Sequence, residues 1–283
     1  MDFKSHDVEA FLSQQSVGRA DSFGQIFRGY IPANNCYGLK EMDVAIRVSH
    51  SRATDQEADL QMQFKNELKL CSVKHRNIIG LIGFCETKEK FYLVYEMMKA
   101  RLLSEVIEGL TWEQALKVIK GTVAGLAYLH GHPEGPLVHS NISPSNILVT
   151  EGFVPKIIDF RYCVVEGQLC INGSPGYYLS KQGLASVKGD IFAFGLVALQ
   201  LITKDGRSAF AVEEGRGVSL HHILDLYIPM FREKGNLVHV SYGQEKESRK
   251  LTEMIVDCMK KDSQVSLKSF HKDLILLSLA KQL

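Results

Sequence analysis

The stretch His139-Ser140-Asn141-Ile142-Ser143-Pro144-Ser145-Asn146-Ile147-Leu148-Val149 decides the fold of this 283-residue chain. It joins a polar loop, in which two asparagines stand five residues apart, to an apolar run typical of a strand. The carboxamide of Asn141 can orient a hydroxyl, but it has no useful basicity near neutral pH. Asn141 therefore offers this loop hydrogen bonding but no general base.

Two other motifs accompany this loop. The strand-like run Val44-Ala45-Ile46-Arg47 ends in a cation, and Glu67 lies in a segment whose apolar residues recur at helical spacing. A guanidinium prefers bidentate carboxylate geometry, so a pair of Arg47 with Glu67 is one expectation, and two separate solvated charges are the other. Beyond the loop, Asp159-Phe160-Arg161 places a second carboxylate and guanidinium two residues apart, and we expect these to pair as well.

These motifs resemble those of protein kinases. In that family His139-Ser140-Asn141 would stand for His-Arg-Asp, which carries the catalytic base, and Arg47 for the lysine that pairs with the ATP phosphates. Glu67 would stand for the glutamate of the helix in the small lobe, and Asp159-Phe160-Arg161 for Asp-Phe-Gly. The resemblance covers roughly residues 8 to 280. Within it, the sequence is similar to plant receptor-like and receptor-like cytoplasmic kinases at His75–Cys85, Leu93–Glu96 and Gly125–His130.

The resemblance implies the α+β class and the bilobal protein kinase fold. The N-lobe, a sheet with one helix, would cover residues 1–96, and the mainly helical C-lobe residues 97–283. The hinge would lie at Glu96-Met97-Met98, with a nucleotide pocket behind it.

The residue patterns favour the same layout. The apolar run Ile191–Ile202 is too short to span a bilayer and is typical of a buried core helix. Predicted strands are Gln25–Arg28, Met42–Val48 and Phe91–Tyr95, predicted helices are Asp55–Ser72 and one that begins near Thr111, and predicted surface loops are Arg207–Gly217 and Phe231–Glu247.

Five positions depart from the kinase pattern. Ala20 replaces a glycine of the phosphate-covering loop, and Lys181 replaces the glutamate that anchors the activation segment, for which the expected distal partner position is Ser266. The other three are Arg47, Asn141 and Arg161. Together they affect the approach of the backbone to the phosphates, the cation that pairs with the phosphates, the catalytic base, the metal-binding loop and the anchor of the activation segment. We therefore predict that the chain is not an enzyme, with no intact catalytic site and with degenerate catalytic positions at Arg47, Glu67, Asn141 and Arg161.

The same resemblance outlines a vestigial nucleotide pocket. Asn146 and Asp159 are its candidate metal ligands, and Tyr95 would be the gatekeeper, whose ring narrows the pocket. With Arg47 and Arg161 opposing nucleotide binding, we predict that no cofactor is required and that ATP and Mg²⁺ bind weakly or not at all. The pocket residues are Gly18, Ala20, Gly24, Ala45, Arg47, Tyr95 and Met97.

The predicted function is that of a catalytically inactive pseudokinase, an adaptor, decoy or allosteric partner in plant receptor or immune signalling. Its expected partner is an active receptor-like kinase or an immune receptor. A formal net charge of +1 gives no field that favours nucleic acid or an anionic membrane. Two alternatives stay open: a nucleotide-binding switch without turnover, and a very weak Ser/Thr protein kinase.

Composition also predicts the compartment. The six cysteines show no C-x-x-C pair and no zinc spacing, which is typical of thiols in a reducing compartment. We expect a cytoplasmic chain that does not insert into the membrane and that reaches the inner face of the plasma membrane through its partners.

Overall fold

The structure, a computed structural model, describes residues 1–17, 24–50, 57–169, 183–206, 222–243, 248–260 and 263–279. The chain divides into two compact units, Met1–Lys99 and Ala100–Leu283. Strands dominate the first unit and helices the second, so the predicted α+β class is confirmed. The boundary expected from the sequence falls just before this division, between residues 96 and 97.

The first unit is built on one antiparallel sheet. Its described elements are α1 (Ser5–Phe11), β1 (Leu12–Ser16), β2 (Gln25–Ile31), β3 (Met42–His50), α2 (Glu57–Glu67), β4 (Leu81–Glu86) and β5 (Lys90–Glu96). The strand order is β1-β2-β3-β5-β4. All three strands predicted from the sequence are present, as β2, β3 and β5.

Strand β3 shows that the two faces of this sheet differ. Ile46 and Val48 are buried, and Ala45 and Arg47 alternate with them on the opposite face. A strand with one face on an apolar core requires this period of two. Because Ala45 pairs with Tyr95 across the β3–β5 ladder, Arg47 and Tyr95 project from the same face of the sheet.

The N-terminal segment packs on the other face and along one edge. Phe3, Val8 and Phe11 are buried in the core cluster of the sheet. The Phe84 N–H donates to Met1 O and the Phe3 N–H donates to Phe84 O, each at 2.8 Å, so the first three residues run along the outer edge of β4. An uncovered edge strand is prone to pair with other chains, and this segment blocks that pairing.

The helix predicted over Asp55–Ser72 is confirmed over its described residues, 57–72. It runs as α2 and then as a 3₁₀ turn over Leu68–Ser72, while residues 51–56 lie outside the described part. The Phe64 ring stacks on Phe91 at a centroid distance of 4.8 Å, which holds α2 against the sheet. This packing brings Glu67, the last residue of α2, to the face of β3 that carries Arg47.

The second unit holds the polar loop between short strands. Strands β6, β8 and β9 form one small sheet and β7 and β10 another, so His139–Asn146 is held at both ends by strand pairing. The described elements are β6 (Ala100–Leu102), α3 (Leu103–Val106), α4 (Trp112–His130), β7 (Leu137–Val138), β8 (Ile147–Thr150), β9 (Pro155–Ile157), β10 (Val164–Val165), α5 (Val187–Thr203), α6 (His222–Lys234), α7 (Ser248–Cys258) and α8 (Leu267–Leu279).

Two long helices form the core of this unit. Helix α4 begins after Thr111, whose side chain accepts from the Gln114 N–H in a capping box. Apolar residues at helical spacing along α4 are buried, namely Trp112, Ile119, Val123, Leu126 and Leu129, and Leu116 is half-buried. The predicted core helix is also confirmed, because every residue of α5 from Asp190 to Thr203 is buried.

One predicted loop is wrong in part. Of the range Phe231–Glu247, the first four residues belong to α6, and residues 244–247 lie outside the described part. Tyr242 is buried because its ring packs on Trp112 at 5.4 Å and its hydroxyl donates to Leu201 O at 3.0 Å. The segment was predicted as a surface loop from its polar, glycine-containing composition, and such a composition does not show that one aromatic ring within the segment is buried. The other predicted loop, Arg207–Gly217, lies wholly outside the described residues.

Two further sequence expectations concern membranes and thiols. Among the described helices, none is both long and apolar enough to cross a bilayer. Of the five cysteines in the described ranges, Cys36 and Cys71 are exposed, whereas Cys85, Cys163 and Cys258 are buried.

Candidate functional site

In the first unit, Glu67 is the centre of a buried polar cluster. Its Oε1 accepts from Arg47 Nη1 at 3.3 Å, and its Oε2 accepts from the Tyr95 hydroxyl at 2.9 Å. The side chains of Glu67 and Arg47 are 1% and 14% exposed, so this expected ion pair is screened little by solvent. Helix α2 and strands β3 and β5 are thereby joined through one carboxylate.

The remaining expected pocket residues of this unit are partly described. Gly24 has φ 129°, and a Cβ there would lie 2.2 Å from Val48 O, so only glycine fits. Ala45 and Met97 are half-buried. Gly18 and Ala20 lie outside the described residues.

In the second unit, Asp190 of α5 fixes the start of the polar loop. Its Oδ2 accepts from the His139 N–H at 2.8 Å and contacts His130 Nε2 at 3.0 Å, and its Oδ1 accepts from the Ser140 N–H at 2.9 Å. Asp190 is 1% exposed. The carboxylate thus satisfies backbone donors of the loop, including that of Ser140, which has a left-handed φ of 63°.

His139 is a structural residue of this loop. Its Nδ1 accepts from the Asn141 N–H at 3.2 Å, and its Nε2 donates to Ile158 O at 3.0 Å. This pattern requires one protonated and one unprotonated ring nitrogen, the neutral form. Burial lowers the pKa of His139, so the ring stays neutral in the physiological range.

The two asparagines of the loop are joined to Asp159. Asn141 Nδ2 donates to Asp159 Oδ2 at 2.8 Å, and Asn146 Nδ2 donates to Asn141 O at 2.8 Å. The Ile158 N–H also donates to Asn146 O at 3.0 Å, which fixes the chain just before Asp159. The expected catalytic position and both candidate metal ligands therefore lie in one hydrogen-bonded cluster.

Arg161 completes this cluster. Its Nη2 donates to Asp159 Oδ2 at 2.9 Å, and its Nε donates to Asp159 Oδ1. The side chains of Arg161 and Asp159 are 13% and 5% exposed. The expected pair is thus a bidentate and nearly buried one, and it holds both oxygens of the candidate metal-binding carboxylate.

Several contacts of these clusters were not foreseen from the sequence. They are the Tyr95–Glu67, Asn141–Asp159 and His130–Asp190 contacts. Each joins residues that are distant in the sequence, so no local sequence pattern predicts it. Of the expected segment anchor, Lys181 lies outside the described residues. Ser266 directly precedes α8 and accepts from the Ser269 N–H at 3.2 Å, so it caps that helix.

Comparison with known proteins identifies what this arrangement is similar to. Residues 17–269 match the protein kinase domain family. The G-type lectin S-receptor-like serine/threonine-protein kinase RKS1 of Arabidopsis thaliana is 31% identical over 77% of this chain and 26% of its own length. Cysteine-rich receptor-like protein kinase 25 of the same plant is 30% identical over 81% of this chain and 35% of its own length. The chain thus spans about a third or less of these relatives.

Two sequence predictions are wrong against these findings. The predictions that the chain is not an enzyme and that it requires no cofactor are overturned, because its relatives are serine/threonine-protein kinases. Protein kinases use ATP with Mg²⁺. The error has a physical cause: the five substitutions were taken together to abolish the reaction, whereas a missing base by itself lowers a rate by roughly 10²–10⁴-fold without removing the reaction.

The described side chains do not fit Mg²⁺ as they stand. Mg²⁺ is held by oxygen ligands in near-octahedral geometry. The side-chain oxygen of Asn146 can serve, since its nitrogen is the donor to Asn141 O. Both oxygens of Asp159, however, accept hydrogen bonds from Arg161.

Proposed function

The chain belongs to the protein kinase domain family, and on this premise we propose that it is a serine/threonine-protein kinase domain of the plant receptor-like class, which transfers a phosphoryl group from ATP to protein hydroxyls. The observation that carries the proposal is the cluster of Asn141, Asn146 and Asp159 on a loop anchored by Asp190. Catalysis of phosphoryl transfer is mostly positioning and electrostatic stabilisation, which such an anchored loop supplies.

The proposed transfer is slow. Asn141 can accept a hydrogen bond from a substrate hydroxyl and orient it, but it cannot take the proton. The attacking hydroxyl must then lose its proton to water or to the phosphoryl group itself. In the nucleotide pocket we propose Ala45, Tyr95 and Met97 as the wall and Arg47, held by Glu67, as the cation nearest the phosphates.

The test is transfer of radiolabelled phosphate from ATP to a generic protein substrate, with phosphoserine and phosphothreonine measured separately. We expect slow transfer by the purified chain and at least about a tenfold lower rate for Asp159→Asn, which keeps the size of the side chain but removes its charge. Asp257→Asn changes an exposed acid of α7, 49% exposed, and is the matched control. No transfer, or equal transfer by Asp159→Asn and the wild type, would refute the proposal.

A second role is proposed beside slow transfer: binding of an active receptor-like kinase or an immune receptor, as an adaptor or allosteric partner at the inner face of the plasma membrane. It is supported by Leu169 and Leu184, each 63% exposed, which pair in a β-bridge on either side of residues 170–182. Two exposed leucines side by side favour protein contact. By calorimetry, Leu169→Asp should weaken binding to a receptor-like kinase domain roughly tenfold, and unchanged affinity would count against this role.

A further inference from the structure

We propose that Arg161 is a built-in competitor of the metal ion for Asp159, so that Mg²⁺ binds only in molecules whose guanidinium has left the carboxylate. The inference rests on the proposed function, because it assigns a metal dependence to the same site. It makes Arg161 a positioning residue that sets how much Mg²⁺ the site needs.

The first step of the argument is the geometry of the pair. Arg161 donates to both oxygens of Asp159, through Nε and through Nη2, the latter at 2.9 Å. A guanidinium presents these two donors in a fixed fork that matches a carboxylate, which makes the pair specific as well as strong. Asn141 Nδ2 adds a third donor at 2.8 Å to Oδ2. Of the roughly four lone-pair positions of a carboxylate, at least three are therefore in use.

The second step is charge. With side-chain exposures of 13% and 5%, Arg161 and Asp159 interact with little solvent screening. One negative charge is already balanced by one guanidinium. Bringing a doubly charged ion to the same carboxylate would place it against that cation, which costs energy in a poorly solvated site. Guanidinium and Mg²⁺ are thus alternatives at Asp159 rather than neighbours.

The third step is that Arg161, while paired with Asp159, already has a second favourable contact. Its guanidinium carbon lies 5.9 Å from the centroid of the Tyr162 ring, within the range of a cation–π contact. A released guanidinium can therefore stay over this ring instead of entering water. The pair with Asp159, and a form in which Arg161 keeps only the contact with Tyr162, are the closed and open arrangements of this proposal.

The expected size of the effect follows from the open fraction. An apparent dissociation constant is the intrinsic one divided by the fraction of molecules that can bind. If about a tenth of the molecules are open, the metal binds roughly tenfold more weakly than it would without the competitor. Removing the guanidinium should therefore lower the apparent dissociation constant of the metal by roughly the same tenfold factor.

The experiment is thermal unfolding of the full chain in EDTA and across a Mg²⁺ series, with and without ATP. In EDTA, Arg161→Gly should unfold at a lower temperature than the wild type, because Asp159 keeps a buried charge without its main partner. Mg²⁺ should then stabilise Arg161→Gly with a half-saturating concentration at least about tenfold below that of the wild type. Asp159→Asn should abolish the Mg²⁺-dependent shift in either background.

Arg161→Lys is the matched variant, since it keeps the positive charge but replaces the fork by a single ammonium. We expect its half-saturating Mg²⁺ concentration to fall between those of the wild type and Arg161→Gly. Equal values for the wild type and Arg161→Gly would overturn the inference. If Arg161→Gly does not fold, equality between the wild type and Arg161→Lys overturns it.

The result is independent of the phosphotransfer assay. A lower half-saturating Mg²⁺ concentration in Arg161→Gly, with no phosphotransfer by any variant, would support the competition and refute the proposed enzyme activity. Phosphotransfer by the wild type, with equal half-saturating Mg²⁺ concentrations for the wild type and Arg161→Gly, would support the proposed enzyme activity and refute the competition.

Discussion

Replacing Asn141 by aspartate should raise the rate of phosphotransfer about a hundredfold. The substitution puts a carboxylate at the position where the kinase pattern has its base, and general base catalysis contributes roughly 10²–10⁴-fold. We expect the lower end of that range, because Asn141 Nδ2 now donates to Asp159 at 2.8 Å, and a carboxylate there faces a second carboxylate instead. Arg161 offsets part of that repulsion through its bidentate contact with Asp159. Initial rates of phosphate transfer at saturating ATP measure the gain.

Asn141→Ala is the control for this gain. It removes the amide without supplying a base, so its rate should equal or fall below that of the wild type. The thermal midpoint of Asn141→Asp should be lower than that of the wild type, since like charges at this distance destabilise the cluster. A rate for Asn141→Asp no higher than for Asn141→Ala would show that the missing carboxylate does not limit transfer.

The polar loop and its ion pairs could be predicted because their signals are local. The loop is read from eleven consecutive residues, and Arg161 lies two residues from Asp159 in the sequence. The pair between Arg47 and Glu67 is more distant, and it was expected because the kinase resemblance pairs these two positions; the alternation along β3 places Arg47 on the face opposite Ile46 and Val48. Helix α5 was predictable for a related reason, since an unbroken apolar run must be buried.

Contacts set by packing could not be predicted in this way. The Tyr95 hydroxyl reaches Glu67 across 28 residues, and Asn141 reaches Asp159 across 18. Each contact depends on the exact docking of two elements rather than on a pattern within either. The N-terminal segment is a similar case, because Phe3 and Phe11 belong to a short polar-rich stretch with no clear period, and only their burial against the sheet gives them a role.

The largest stability effect is expected at Asp190. Asp190→Ala leaves the backbone N–H groups of His139 and Ser140 without their acceptor and removes the partner of His130 Nε2. Breaking such a buried charged network typically costs about 3–5 kcal/mol, a large share of the roughly 5–15 kcal/mol that stabilises a domain. We therefore expect Asp190→Ala to be largely unfolded or insoluble. Urea unfolding followed by the fluorescence of Trp112, the single tryptophan, measures the loss.

Ser186→Ala provides the comparison on the same helix. The Ser186 side chain caps α5 by accepting from the Gly189 N–H at 3.1 Å, and losing one such cap costs about 1 kcal/mol. Asp190→Asn keeps one acceptor oxygen but turns the other into a donor that faces a backbone N–H, so its loss should lie between those of Ser186→Ala and Asp190→Ala. If Asp190→Ala were no less stable than Ser186→Ala, the loop would not depend on α5 for its shape. The cluster of Asn141, Asn146 and Asp159 would then need another anchor.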